Sequence, residues 1–127
     1  MIIDITIVDI SIFDMKVNQV AREQLQNLTE SMYYMLLSLT SPRHGYGIMQ
    51  WVKEQTQERV PLGAGTLYAL LARFEKEKII KQVEEEGRKK VYLLTEKGRE
   101  ILNEEYLRLK QLVKDGKELM EGTENAE

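Results

Sequence analysis

The chain has 127 residues, 43% hydrophobic and 31% charged, which is the balance of one folded domain of ordinary size and not of a disordered segment. The absence of cysteine excludes disulfides, thiolate catalysis and Cys-based zinc sites, and the absence of any run of about 18 apolar residues excludes a transmembrane helix. The formal net charge of −3 is uneven: residues 43–92 hold ten Lys or Arg against seven Glu and the remainder eight against fourteen acidic residues, so a +3 middle, suited to a polyanion, stands against −6 elsewhere.

The opening MIIDITIVDISIF alternates apolar and polar residues, with Ile3, Ile5 and Ile7 in one phase and Val8, Ile10 and Ile12 in the next. It reads either as a strand with a bulge near Ile7 and Val8 or as an extension without function, since MKVNQ from Met15 would itself start a shorter protein. Asp4, Asp9 and Asp14 interrupt the stretch and no basic segment precedes it, which argues against a signal peptide and for a cytoplasmic protein.

From Val17 to about Leu39, Val20, Ala21, Leu25, Leu28, Met32, Met35, Leu36 and Leu39 recur at three and four, predicting a long amphipathic helix ended by Ser41 and Pro42. A second helix is expected from about Tyr46 to Thr56, with Trp51 on its core side and a break where Pro61 biases Val60 away from the α region. The third, Gly63 to Lys78, buries Leu67, Leu70, Leu71 and Phe74. Its opposite face carries Gly65, Ala69, Ala72 and Lys76, flanked by Thr66, Tyr68 and Arg73, where an ordinary solvated face would be crowded with Glu and Lys.

The runs IIKQVE and KKVYLLT, joined through Glu85, Glu86, Gly87 and Arg88, predict a hairpin. A last long helix runs from Glu96 to about Met120, capped by Thr95, with Leu102, Tyr106, Leu109, Val113 and Met120 at heptad-like spacing and Gly116 in the same series. The fold class expected is mainly α with a small β-hairpin wing, a winged helix-turn-helix flanked by long N- and C-terminal helices. The expected segments are an N-terminal extension over 1–16, the winged domain with its N-terminal helix over 17–95, a dimerisation helix over 96–121 and a polar tail over 122–127.

Three stretches in this order, HGYGIMQWVKE, GTLYALLARFEKEKII and RKKVYLLTEKGREIL, resemble the PadR family of bacterial transcriptional regulators across about residues 28 to 120. The resemblance implies a DNA-binding homodimer, usually a repressor, dimerised through its terminal helix and often responsive to small aromatic effectors. Carried over by motif, Tyr46, Gly65, Thr66 and Tyr68 match DNA-facing positions, and Arg88, Lys89 and Lys90 match the wing. The short C-terminal region looks like the compact branch with one dimerisation helix. Gly63 departs from a common serine cap, and Lys78 stands where a glycine usually precedes the first wing strand.

On the residues themselves, the bare helix face suits close approach to the major groove, with Ala69 able to meet a thymine methyl and Thr66, Arg73 and Lys76 left for polar contacts. Ala69 and Ala72 could instead pack on another helix, Tyr68 could be half-buried structure, and Arg73 could be held by Glu75 or Glu77. In the wing, Glu84, Glu85 and Glu86 face Arg88, Lys89 and Lys90 across the turn, where pairing would cancel the basic strand.

The apolar series of the last helix, Leu102, Tyr106, Leu109, Val113 and Met120, calls for a partner helix in a homodimer, for packing on the first helix, or for both. An effector pocket at that seam would draw on Met32, Met35, Leu36, Tyr106 and Leu109, each equally usable as plain core. His44 is the only histidine and suits helix entry or a phosphate contact; no catalytic group, metal cluster or cofactor motif can be assembled around it. The expected function is a repressor on a palindromic site in double-stranded DNA, released by a small apolar or aromatic effector. The alternative is a winged-helix protein-interaction module without DNA binding, which the acidic total charge would suit.

Overall fold

The structure, a computed structural model, describes residues 28–122. The strand or extension expected over 1–16, and the part of the expected N-terminal helix before residue 28, lie outside the described residues. Helix α1 spans Glu30–Ser38, beginning after Thr29, whose backbone is extended and whose hydroxyl accepts the Met32 N–H at 3.1 Å. This cap corrects the expectation of one helix continuous from Val17 to Leu39: a threonine that bonds the third amide ahead starts a helix and does not continue one.

A two-residue strand β1, Arg43–His44, leads into α2, Gly45–Gln55. His44 acts in helix entry, its Nδ1 accepting the Gly47 N–H at 3.1 Å. The end of α2 owes nothing to Pro61. The Glu58 N–H bonds back to the Lys53 carbonyl and the Gln57 N–H to that of Glu54, a Schellman closure in which Gln57 and Glu58 take φ of 51° and 64°.

Helix α3, Ala64–Lys76, ends in the same way, with Ile79 bonding back to Phe74 and Lys78 to Glu75. Lys78 sits at φ 60°, a left-handed position that costs a non-glycine residue about 1–2 kcal/mol. The departure from glycine noted in the sequence is thus a strained one. Lys78→Gly is expected to stabilise the protein by about 0.5–1 kcal/mol, the relieved strain less glycine's added unfolded-state entropy. A denaturant midpoint unchanged or lowered at constant m-value would contradict it.

Strands β2, Ile80–Glu86, and β3, Lys89–Leu94, form the wing hairpin. Gly87, first of the two loop residues, has φ 68°, the sign a type II′ turn requires there. The expectation of a two-stranded hairpin extends to a three-stranded antiparallel sheet in the order β1-β3-β2, because Arg43 and His44 pair with Tyr92 and Val91. A register irregularity between Gln82 and Glu84 places a bulge at Val83.

Helix α4, Glu96–Met120, has 25 residues and so extends about 37 Å. Thr95 caps it, accepting the Gly98 N–H at 3.0 Å, and also reaches the Lys78 carbonyl at 2.7 Å, tying the start of α4 to the end of α3. The core joins Met35, Leu36 and Leu39, Ile48 and Val52, Leu67, Leu71 and Phe74, Ile79 and Ile80, Tyr92 and Leu94, and Leu102. Every described element except β1 contributes, so the other three helices and the wing strands hold α3 with one face outward.

Candidate nucleic-acid interface

The outward face of α3 carries the residues singled out by its pattern: Gly65, Thr66, Tyr68, Ala69, Ala72 and Lys76 are all exposed. Nothing stands within 4 Å of where a Gly65 Cβ would lie, and Gly63 supplies no side-chain cap, so the first amides of α3 remain open to an anion. Among the described residues, no other helix covers Ala69 and Ala72, which stay exposed. A rod of this width bearing so few side chains can enter a major groove closely.

Tyr46, at the start of α2, and Tyr68 are 59% and 58% exposed, which puts both phenols within reach of a ligand. Tyr68 is nonetheless seated. A Cβ on Gly45 would come within 2.9 Å of its hydroxyl, so glycine is what lets the ring lie against the first turn of α2. The ring is thus packed on α2 along one edge while most of it stays exposed. Behind it, Tyr92 is 7% exposed and its pKa is raised, chiefly by burial, with the Glu75 carboxylate and Tyr68 adding to the effect. Gln82 donates to the same Glu75 at 2.7 Å, linking α3 to the wing.

Arg73 forms an ion pair along the helix, its Nε 3.5 Å from Glu77 Oε2. That geometry favours the structural reading of Arg73 over groove contact. In the wing, Arg88 lies in the exposed loop, while the register sets Lys89 opposite Glu86 and Lys90 opposite Glu85.

Leu102 is 7% exposed and belongs to the protomer's own core, which corrects its place in the dimerisation series. Beyond Glu105, which is 5% exposed, the apolar side chains are less covered by the described residues: Tyr106, Leu112, Val113, Leu119 and Met120 are exposed and Leu109 half-buried. Leu112 and Leu119, seven apart and beside Val113 and Met120, widen the exposed stripe beyond the single heptad-like series legible in the sequence. Of the residues assigned to an effector pocket, Met35 and Leu36 are fully buried in the core. Met32 and Leu109 are half-buried, and Tyr106 lines a cleft of about 240 Å³ with Leu37, Thr40, Leu94, Arg99, Leu102 and Asn103.

Helix, helix, exposed third helix and antiparallel wing define a winged helix-turn-helix. The chain belongs to the PadR-like family of transcriptional regulators, whose pattern matches residues 34–104; it is a family of regulators, not of enzymes. It is 32% identical over 84 residues to an uncharacterised protein X of Lysinibacillus sphaericus, covering 61% of this chain and 77% of that one. It is 41% identical over 64 residues to an uncharacterised 37.1 kDa protein in transposon TN4556 of Streptomyces fradiae, half of this chain but only 18% of that protein's length.

Among solved structures, a PadR-like transcription factor from Bacteroides fragilis matches with TM-score 0.56 and 28% identity, over 82% of this chain and 98% of the other. A winged-helix DNA-binding protein from STIV matches with TM-score 0.57 and 26% identity, over 64% and 88%. Among the described residues, no helix is long and apolar enough to cross a membrane.

Proposed function

We propose that this regulator binds double-stranded DNA as a homodimeric repressor, laying α3 in the major groove of each half of a palindromic site. The observation that carries the reading is the exposed, side-chain-poor face of α3 from Gly65 to Lys76. Tyr46, Thr66, Tyr68 and Lys76 supply phosphate and polar contacts, Gly65 and Ala69 allow close approach, and Arg88 reaches from the wing tip. Because glycine and alanine offer no side-chain hydrogen bonds, DNA shape carries a large share of selectivity. The apolar stripe of α4 supports the dimer, which spaces the recognition helices by one DNA turn, about 34 Å. Release by a small apolar or aromatic effector at the seam near Met32, Tyr106 and Leu109 completes the reading.

The test is fluorescence anisotropy on a labelled duplex from upstream of the coding region, against a scrambled duplex, over a range of salt. Tighter binding to the native duplex, with log affinity falling by about 0.9 per neutralised phosphate in log salt, is expected. Lys76→Gln is expected to weaken binding to both duplexes and flatten that slope by about 0.9. An unchanged slope would remove Lys76 from the interface. Failure of the wild type to bind any duplex at low salt would favour a winged-helix interaction module, a reading the net charge of −3 suits.

A further inference from the structure

The two wing strands carry opposite charges, Glu84, Glu85 and Glu86 on β2 against Lys89 and Lys90 on β3. Their register is the informative part: Glu85 stands directly opposite Lys90, and Glu86 opposite Lys89. Opposed residues in an antiparallel pair share a face with Cβ atoms about 5 Å apart, well inside the screening length of about 8 Å at physiological salt. A phosphate approaching Lys90 on that face therefore meets the Glu85 carboxylate as well.

Stability does not account for the arrangement. Glu85 and Lys90 are both exposed, and an exposed pair contributes about 0–1 kcal/mol. The hairpin is already anchored by buried Val91, Tyr92 and Leu94. The consequence falls instead on the ligand. Sequence-independent binding grows with the number of phosphates neutralised, and a cation with a carboxylate on the same face releases fewer counterions.

We propose that Glu85 is a specificity-determining residue, cancelling Lys90 so that the wing withholds its β3 cations from sequence-independent phosphate binding and leaves recognition to α3 and the wing tip. The proposal rests on the DNA reading above. It is the like-charge side of electrostatic complementarity, in which a repulsive group suppresses the wrong partner.

The experiment is salt-titrated anisotropy on the scrambled duplex with the full-length wild type, Glu85→Gln, Glu85→Gln/Lys90→Gln, and Glu100→Gln. Glu100 is an exposed residue of α4 outside the wing, so its substitution makes the same change in net charge. Glu85→Gln is expected to steepen the log–log slope by about 0.9 and to tighten binding on the order of tenfold near 50 mM salt. Adding Lys90→Gln should return the slope to the wild-type value, and Glu100→Gln should leave it unchanged. A Glu85→Gln slope equal to wild type, a steeper slope that survives Lys90→Gln, or an equal steepening by Glu100→Gln would each overturn the proposal while leaving the DNA reading intact. Absence of wild-type binding to every duplex, with the fold verified by circular dichroism, would remove both.

Discussion

Gly98→Ala is expected to destabilise the protein by about 3 kcal/mol, the upper end of what overpacking a close contact costs. Gly98 is buried in the first turn of α4, and an added Cβ would lie 2.1 Å from the Ile79 carbonyl oxygen and 3.1 Å from its carbon. The obstacle is backbone and cannot rotate away. Ile79 is also held from both sides, its N–H donating to the Phe74 carbonyl at 2.8 Å and its carbonyl accepting the Thr95 N–H at 3.0 Å. Moving it would disturb the closure of α3, the cap of α4 and the entry to the wing together, at about 1 kcal/mol for each hydrogen bond lost. Urea unfolding with a midpoint within error of wild type would show that α4 can shift freely on Ile79. Because α4 also carries the proposed dimer contacts, the comparison is made at one fixed protein concentration.

The second large effect is expected at the far end of the same helix. Leu112→Glu with Leu119→Glu should convert the protein to a monomer by light scattering and weaken binding to a full palindrome by about 100-fold or more, with half-site binding retained. Leu112 is 53% and Leu119 77% exposed in the protomer, so neither charge intrudes on the core and the circular dichroism spectrum should be preserved. Their place beside Val113 and Met120 on the uncovered half of α4 makes a partner helix the natural cover. A dimer that survives both charges would move the interface elsewhere, and a wild type already monomeric at micromolar concentration would remove it.

The two substitutions act on different functions of one helix. Its first turns, from Gly98 to Leu102, are pressed into the winged domain and fix where the helix leaves it. The later turns present an apolar stripe that this domain leaves uncovered. A rigid exit joined to a dimer seam is what would hold two α3 helices at a set spacing, so strain at Gly98 should also blunt discrimination between palindromes of different half-site spacing.

Much of this was legible in the linear order of residues. Spacing at three and four placed Leu67, Leu71 and Phe74 inward and left Gly65, Ala69 and Ala72 outward, since helical periodicity alone decides which residues share a face. Gly87 marked the hairpin because a tight two-residue turn needs its positive φ, and Thr95 marked the start of α4 because its hydroxyl caps the third amide ahead. Those are local rules, and the residues that obey them lie within a turn or two of one another.

What the tertiary structure alone decided is of another kind. Arg43 and His44 form a strand only because β3 lies beside them, and two residues carry no periodicity to read. Leu102 joins the core while Val113, in the same heptad-like series, stays exposed, because the winged domain covers only the first part of the helix. The offset at Val83 that brings Gln82 opposite Tyr92 lies beyond the reach of the turn's own register, and the need for glycine at position 98 depends on a carbonyl nineteen positions earlier in the chain. Local sequence specifies which face of an element is apolar. Which surface meets that face, and how far along the element the contact runs, follows from packing between segments that no short window contains.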